Sequence, residues 1–389
     1  MIAEGDSRHH ALLVRENPVC PSLAPVKCSA SNEGMAQMNT TSDNVTQRNA
    51  WWWGGLLLTP IRWVTGYMFF SAMLRREVYL PAKLDPTSPQ YTGHKFVTFI
   101  PHALGIVKPL LSYLVDHASV LYVVALIFTM MEGLVGLLLI TGFMTRLAGL
   151  MSVLLSAGIL AGAGWIGTTC LDEWQIGSIL IATGLTIFLS SSSAFSVDGW
   201  LLRRRPKVAE KNWFRWLLSG ELAPDQSRRL ISMTLVVGVL SAGAMLYTYQ
   251  TFYNGLWGGL HNDSKQPHLQ VTEPLVQTDG RVKVRLYRDG GPDTYGAFVV
   301  EMRVEDASGK VLERFEADQL AKVPAGSIDQ LHELGPITTG PYGLVIPLGA
   351  GGVVDLKPPT PASLSHGESV TLTIIDVSGA RWSADTIVT

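Results

Sequence analysis

The feature that most constrains this chain is a series of five apolar segments, each about 20 residues long, in its first 250 residues. An α-helix rises ~1.5 Å per residue, so ~20 residues cross the ~30 Å hydrocarbon core of a bilayer. A helix also satisfies its own backbone hydrogen bonds there. The first segment contains Pro60 and Arg62, and the second contains Glu132. We therefore expect a membrane α-helical protein whose segments are 54–74, 120–141, 147–167, 174–193 and 230–249.

Composition agrees with this class and excludes others. Hydrophobic residues make up 47% of the chain and charged residues 16%, which excludes an intrinsically disordered protein. A net charge of −2 argues against a nucleic-acid partner, and three Cys cannot form a disulfide framework. Small residues inside the segments predict close contacts between helices. These residues are Gly158, Gly162, Gly164, Gly238 and Gly243.

Polarity and charge divide the chain into five predicted regions. The expected regions are a disordered N-terminal tail (1–50), a four-helix transmembrane domain (51–200), a basic cytoplasmic linker (201–229), a fifth transmembrane helix (230–260) and an extracytoplasmic all-β sandwich (261–389).

Basic residues predict the orientation. Residues 203–229 contain eight basic and three acidic side chains, and the positive-inside rule places such a loop in the cytoplasm. The short loop at Arg146 falls on the same side, and so does the N-terminus. The loops 75–119 and 166–173, and everything after residue 250, are then outside.

The last region has the pattern of strands. Apolar and polar residues alternate with a period of two, which is typical of half-buried strands, and Gly-rich turns separate the runs. We expect six to eight short strands forming a β-sandwich. The residues expected to face its core are Val282, Val284 and Leu286, then Phe298, Val300, Met302 and Val304, then Val370, Leu372 and Ile374.

The expected outer loop carries positive charge against the topology rule. Two interpretations stay open: arginines that snorkel at a helix end, or a site in which paired N–H donors bind an oxyanion. In the second interpretation the substrate-binding candidates are Arg75, Arg76, Lys83, Lys95 and His102.

Two charges lie inside predicted membrane helices. Such charges are costly and usually pair with each other or line a pathway. Arg62 and Glu132 form either an intramembrane polar pair or the floor of a quinone pocket, with Trp165 and Trp174 near the membrane interface.

Cys170 is the one cysteine outside the tail, and it directly precedes a predicted helix. A helix N-terminus lowers the pKa of a thiol and favours the reactive thiolate. The neighbouring Asp172 and Glu173 oppose that shift, or else cap the helix. Cys170 is therefore the candidate catalytic residue. The sequence contains no motif for haem, flavin, an iron–sulfur cluster or a metal.

Several motifs, in this order, resemble those of a known membrane family. Arg62-x3-Gly66-x2-Phe69, Arg75-Arg76, Pro81-x-Lys83-x-Asp85-Pro86 and Glu132-x3-Gly136-x5-Gly142-x2-Thr145-Arg146 are similar to the first two helices of the DoxX/DoxD family. The Gly164-Trp165-x-Gly167-Thr168-Thr169-Cys170 run is similar to its DoxD branch. Asn254-Gly255-x-Trp257-Gly258-Gly259 and the strand region resemble the DoxA subunit.

The chain thus resembles a fused DoxD–DoxA thiosulfate:quinone oxidoreductase, with a DoxD-like four-helix bundle and a DoxA-like sandwich. The resemblance implies a thiosulfate dehydrogenase (quinone) of bacterial sulfur oxidation. This multi-pass enzyme of the cytoplasmic (inner) membrane would join two thiosulfates into tetrathionate in the periplasm and pass two electrons to ubiquinone or menaquinone, a diffusible acceptor in the lipid bilayer. A homo-oligomer is compatible with this. The alternative is a non-enzymatic DoxX-like membrane scaffold whose sandwich binds a partner protein.

Overall fold

The computed structural model of the chain describes residues 53–163, 171–190, 195–205, 207, 211–219, 224–253, 256–259, 266–291, 297–361 and 363–389. The first part of this region is helical and the last part is all-β. The helices are α1 (Thr59–Leu74), α2 (Gly93–Phe99), α3 (Lys108–Asp116), α4 (Ala118–Thr141), α5 (Thr145–Gly162), α6 (Leu171–Ser190), α7 (Val197–Arg204), α8 (Asn212–Leu217) and α9 (Pro224–Tyr253). A π-helical turn (Arg75–Tyr79) and a short 3-10 helix (Pro81–Lys83) follow α1.

Three helical stretches within the described residues are long and apolar enough to cross a membrane. They are Ala118–Thr141, Thr145–Gly162 and Gln226–Tyr247, in α4, α5 and α9. A fourth apolar stretch, Gln175–Ser190 in α6, is shorter, and α1 has 16 residues. The helical nature of the predicted segments is confirmed where the structure describes them, whereas the number of membrane crossings stays a prediction.

Glycines bring the bundle helices into close contact in two pairs. A Cβ on Gly66 of α1 would lie 2.9 Å from the carbonyl oxygen of Gly136 in α4. A Cβ on Gly149 of α5 would lie 2.9 Å from the carbonyl oxygen of Gly184 in α6. Backbones approach this closely only where side chains are absent, as is common between membrane helices.

Four of the glycines that the sequence favoured for such contacts are not the ones used. Within the described part of the chain, Gly158, Gly162, Gly238 and Gly243 have nothing within 4 Å of an ideal Cβ, and Gly164 lies outside the described residues. For these four the expectation was wrong, because the recurrence of glycine along a segment does not say which face meets another helix.

A buried carboxylate joins the helix ends at one side of the bundle. Asp198 in α7 accepts hydrogen bonds from the backbone N–H of Met144 (3.0 Å) and Thr145 (3.0 Å), from the Thr145 hydroxyl (2.9 Å) and from the Ser219 hydroxyl (2.7 Å). Its side chain is fully buried. The turn before α5 and the end of α8 are therefore fixed to α7.

The stretch expected as a basic linker is partly folded onto this side. Phe214 of α8 is fully buried, and the N–H of Arg146 donates to the carbonyl of Leu218 at 3.0 Å. This contact puts the Arg146 turn and residues 211–219 at the same end of the bundle, as the charge pattern predicted. The other end of the bundle carries the loop 75–117, which contacts Leu334 of the β-domain, and we call that end the sandwich side. The end that carries Arg146 and residues 211–219 is called the opposite side.

The C-terminal part is a two-sheet β-structure, as expected. One sheet has the order β1-β2-β8-β5, and the other has the order β10-β9-β3-β7-β6 with β4 paired to β3. The strands are β1 (His268–Val276), β2 (Val282–Gly290), β3 (Ala297–Asp306), β4 (Val311–Glu316), β5 (Ile328–Gln330), β6 (Thr338–Gly340), β7 (Gly343–Ile346), β8 (Gly351–Leu356), β9 (Ser369–Asp376) and β10 (Arg381–Ile387). The ten described strands exceed the six to eight expected.

Most of the predicted inward residues are correct, and β3 shows why the others are not. The three predicted residues of β2 and the three of β9 are buried, as are Met302 and Val304 in β3. Phe298 is exposed and Val300 is only half-buried, whereas Val299 between them is buried. The pairing of β3 with β9 shifts register between Val299 and Glu301. One extra residue in the strand reverses which positions face the core, which simple alternation cannot predict.

The glycine contact between α1 and α4 is testable. We expect Gly66→Ala to lower the free energy of unfolding by about 1–3 kcal/mol, because the added methyl group overpacks the contact. The matched control is Gly158→Ala, whose methyl meets open space and which should be neutral or stabilising by up to ~1 kcal/mol through helix propensity. Unfolding in mixed micelles, followed by Trp fluorescence, measures both. Equal stability of the two variants would contradict the packing described.

Candidate functional site

The bundle holds a charged pair near its sandwich side. Arg76, in the π-helical turn after α1, forms an ion pair with Glu132 of α4 through Nη1. The same nitrogen donates to the Thr129 hydroxyl at 3.2 Å. The Glu132 side chain is only 4% exposed, whereas that of Arg76 is 23% exposed. The pair therefore connects the apolar interior of the bundle with its surface.

The structure corrects the expected pairing of Arg62 with Glu132. The Arg62 guanidinium donates to the carbonyls of Leu139 (3.0 Å) and Phe195 (2.8 Å) at the opposite side. The reason is the antiparallel register of α1 and α4. Gly66 lies against Gly136, so Arg62 faces the end of α4, and Met73 lies against Gly133, so Glu132 is within reach of Arg76 in the turn that follows α1.

The π-helical turn determines how the two arginines are presented. A π turn adds a residue to the helical ladder and such turns are frequent at functional sites. Here Arg75 is exposed while the next residue, Arg76, turns inward to Glu132. Glu77 lies in the same turn, so the two arginines balance the carboxylates of Glu77 and Glu132 in formal charge, and the Arg75 guanidinium is the exposed cationic group at this point.

The other cationic candidates follow along the same loop. Lys83 ends the short 3-10 helix, and its carbonyl accepts from the N–H of Thr92 at 2.9 Å, which ties its turn to the start of α2. Lys95 is exposed on α2. Close by, the Thr87 hydroxyl and N–H both bind the Asp85 carboxylate and lower its pKa. Asp85 therefore stays charged and offsets part of the positive charge of the loop.

The loop then reaches the next pair of helices. His102 follows α2 and is half-buried, and the N–H of Leu104 donates to the carbonyl of Ala161 in α5 at 3.0 Å. The loop therefore extends from the end of α1 to the end of α5. Gly162 ends α5, so Cys170 follows eight residues later in the sequence.

The remaining predicted site residues are not placed. Cys170 and Trp165 lie outside the described residues. Trp174 belongs to the first turn of α6, and its side chain also lies outside the described part. Within the described residues, no group of three or more His, Cys, Asp and Glu side chains could hold a metal ion.

The chemistry available at the sandwich side is electrostatic. Residues 75–117 contain five Lys and Arg side chains and three carboxylates. An arginine guanidinium can donate two parallel N–H bonds to an oxyanion. Arg75 is exposed and can supply such donors, whereas Arg76 is already paired with Glu132. The exposed Arg75 guanidinium therefore presents the donor pattern that an oxyanion requires.

Sequence reasoning missed Asp198, and it named Arg146 without predicting that its side chain is buried. Asp198 and Arg146 are both fully buried, and Arg146 donates to the carbonyl of Phe188 at 2.9 Å. The sequence does contain a signal that marks Asp198 as part of a helix start. Ser196 caps α7 by accepting from the Gly199 N–H, and Asp198 is an acid in the first turn, which together mark a helix start.

These observations define the class of the protein: a helical protein with candidate membrane-spanning helices, joined to an all-β domain of two sheets. Residues 57–224 match the family described as TQO small subunit DoxD. Residues 252–385 match the family described as TQO small subunit DoxA. The chain therefore belongs to these two thiosulfate:quinone oxidoreductase subunit families, as a fusion of DoxD with DoxA. This membership supports an oxidoreductase.

Among solved structures, the chain is similar to a conjugate transposon protein (residues 27–141) from Bacteroides vulgatus, solved by solution NMR. The match has 12% sequence identity and a TM-score of 0.15, and it covers 34% of this chain and 90% of that one.

The Arg76–Glu132 pair is testable by a double-mutant cycle. We expect Arg76→Gln alone to lower the free energy of unfolding by about 3–5 kcal/mol, because it leaves a buried carboxylate without its partner. Adding Glu132→Gln should restore part of that loss. Arg75→Ala is the matched control, and removal of this exposed side chain should change stability by less than about 0.5 kcal/mol. Additive effects of the two glutamine substitutions would contradict the pairing.

Proposed function

We propose that the chain is a thiosulfate:quinone oxidoreductase that converts two thiosulfates and one quinone into tetrathionate and quinol. The observation that carries this proposal is the presence of a DoxD region and a DoxA region in one chain, since both families are subunits of that enzyme type. The overall reaction consumes two protons, and two electrons pass from the two sulfane sulfurs to the quinone.

The anion site at the sandwich side suits the first substrate. Thiosulfate is a dianion, and Arg75 is an exposed guanidinium that can donate paired N–H bonds to its oxygens. Arg76 is held inward by its ion pair with Glu132, which leaves Arg75 as the guanidinium that faces the solvent. Lys83 and Lys95 extend the positive surface along the loop, and His102 is a further candidate for binding the anion.

The second substrate reaches the protein from lipid. We place the quinone pocket at the sandwich side of the bundle, with Glu132, Trp165 and Trp174 as its candidate residues. Arg62 is left out of this pocket because its guanidinium is bound to carbonyls at the opposite side. Quinone is a diffusible substrate here, either ubiquinone or menaquinone.

Cys170 is the proposed sulfur carrier. In the first step its thiol and one thiosulfate form a Cys–S–S–SO3⁻ adduct, and the two electrons released reduce quinone to quinol with the thiol proton and one further proton. In the second step the terminal sulfur of another thiosulfate attacks the sulfane sulfur of the adduct. That step breaks the bond to Sγ and releases tetrathionate and the thiolate, by the in-line attack of ordinary thiol–disulfide exchange.

The same proposal includes the location of the enzyme. The basic residues of 203–229 are at the opposite side, which the positive-inside rule assigns to the cytoplasm. The anion site and the sandwich then face the periplasm of a bacterial inner membrane, and the N-terminus is inside. Thiosulfate would be bound without crossing the membrane.

Steady-state kinetics of the purified protein test the function. We expect thiosulfate to drive reduction of a water-soluble ubiquinone analogue with one tetrathionate formed per quinol. Arg75→Ala should raise the KM for thiosulfate roughly 10- to 150-fold, since a hydrogen bond to a charged group is worth about 1.5–3 kcal/mol.

The control for this experiment is Arg381→Ala, which removes an exposed arginine from the sandwich and should leave KM unchanged. Wild-type protein that is folded and binds quinone but shows no thiosulfate-dependent reduction would contradict the function. That result would favour the alternative, a non-enzymatic membrane scaffold. An unchanged KM for thiosulfate in Arg75→Ala would refute the proposed anion site but not the oxidoreductase function.

Cys170→Ser tests the covalent step separately. The variant should insert and fold, and it should lose turnover by several orders of magnitude, because a hydroxyl does not form the disulfide-like adduct. Mass spectrometry of wild-type protein treated with thiosulfate and quinone should find an added S–SO3 group on the peptide that contains Cys170. Substantial turnover by the serine variant would show that the two thiosulfates react without a protein sulfur.

A further inference from the structure

The sandwich and the loop of residues 75–117 share a hydrophobic cluster. Leu334, in the connection between β5 and β6, is buried among side chains of the loop and of the start of α4. A residue of the all-β domain is thus part of the small core that stabilises α2 and α3. Its partners in the cluster are Tyr91, Val97, Ile100, Leu111, Leu114, Val115 and Leu121.

Polar and backbone contacts surround this cluster. His332 Nδ1 lies 2.6 Å from Asp116 Oδ1, and the His332 side chain is largely buried. Gly349, in the turn before β8, has φ +78° and lies directly over the carbonyl oxygen of Val97, where a Cβ would overlap that oxygen. A side chain at this position would therefore separate the two surfaces.

The loop is held on its other face by the bundle. The Leu104 N–H binds the carbonyl of Ala161, and α3 leads into α4 through His117. The cluster also includes Tyr91, which lies between Lys83 and Lys95 in the sequence. Contacts that fix α2 and α3 therefore fix the part of the loop that carries these two lysines.

We propose that the sandwich is a positioning domain: it docks on α2 and α3 through Leu334 and His332 and holds the cationic loop over the end of the bundle. The docking is a contact between two surfaces of this chain, strong enough to persist when the covalent connection between α9 and β1 is cut. Its effect on thiosulfate binding rests on the proposed function, whereas the docking itself does not.

The experiment introduces a specific protease site into residues 261–265 of the full-length chain and cleaves the purified protein in detergent. In the wild-type background the sandwich should co-elute with the helical part in size-exclusion chromatography. Leu334→Asp should release it, because the variant places a charge in the cluster. The matched control is Tyr342→Asp at an exposed position of the sandwich, which should co-elute as the wild type does.

His332→Ala is a milder second variant in case Leu334→Asp disturbs the sandwich itself. Loss of the hydrogen bond to Asp116 should weaken the association of the cleaved parts by about 10- to 150-fold. Release of the wild-type sandwich on cleavage, or co-elution of both variants at wild-type affinity, would overturn the proposal.

Kinetics of the uncleaved variants separate this proposal from the proposed function. Leu334→Asp should raise the KM for thiosulfate at least tenfold and change kcat less, because the loop loses its position while Cys170 is unaltered. A sandwich that docks in a wild-type protein without turnover would refute the function and retain the docking. If a variant whose sandwich is released still turns over thiosulfate with an unchanged KM, the positioning role is refuted and the proposed function is retained.

Discussion

The close contact between α1 and α4 at Gly66 and Gly136 is the constraint on which the helical part depends. Side chains are absent there, so the backbones meet and the register of two antiparallel helices is fixed. That register brings the Arg76 side chain within reach of Glu132, and it brings Arg62 to the carbonyls at the end of α4. Charged side chains are costly in an apolar bundle. Here Glu132 is paired with Arg76 toward one end, and Arg62 donates to backbone carbonyls at the other.

The two ends have different roles. At the opposite side, Asp198 collects four hydrogen bonds from the turn before α5 and the end of α8, which makes that end a structural junction. At the sandwich side, Arg76 is paired with Glu132, and Arg75 stays exposed as a guanidinium that faces solvent. The loop that carries the other cations is fixed on one face by α5 and on the other by the sandwich.

The sequence was sufficient to predict those features that depend on composition and periodicity. Apolar length predicted helices, alternation predicted the buried residues of β2 and β9, and motif order predicted both families. Pairing was not predictable in the same way. The partner of Glu132 depends on the register of two helices, the inward residues of β3 depend on a bulge, and the role of Asp198 depends on segments that meet only in the folded chain.

The central claim is that the sandwich side binds the anionic substrate, and a cryo-EM structure of the protein with thiosulfate and a quinone analogue tests it most directly. The account predicts density for the dianion within hydrogen-bonding distance of the Arg75 guanidinium, on the same side of the bundle as the sandwich. Density for thiosulfate at the opposite side instead, beside the basic residues 203–205, would contradict it.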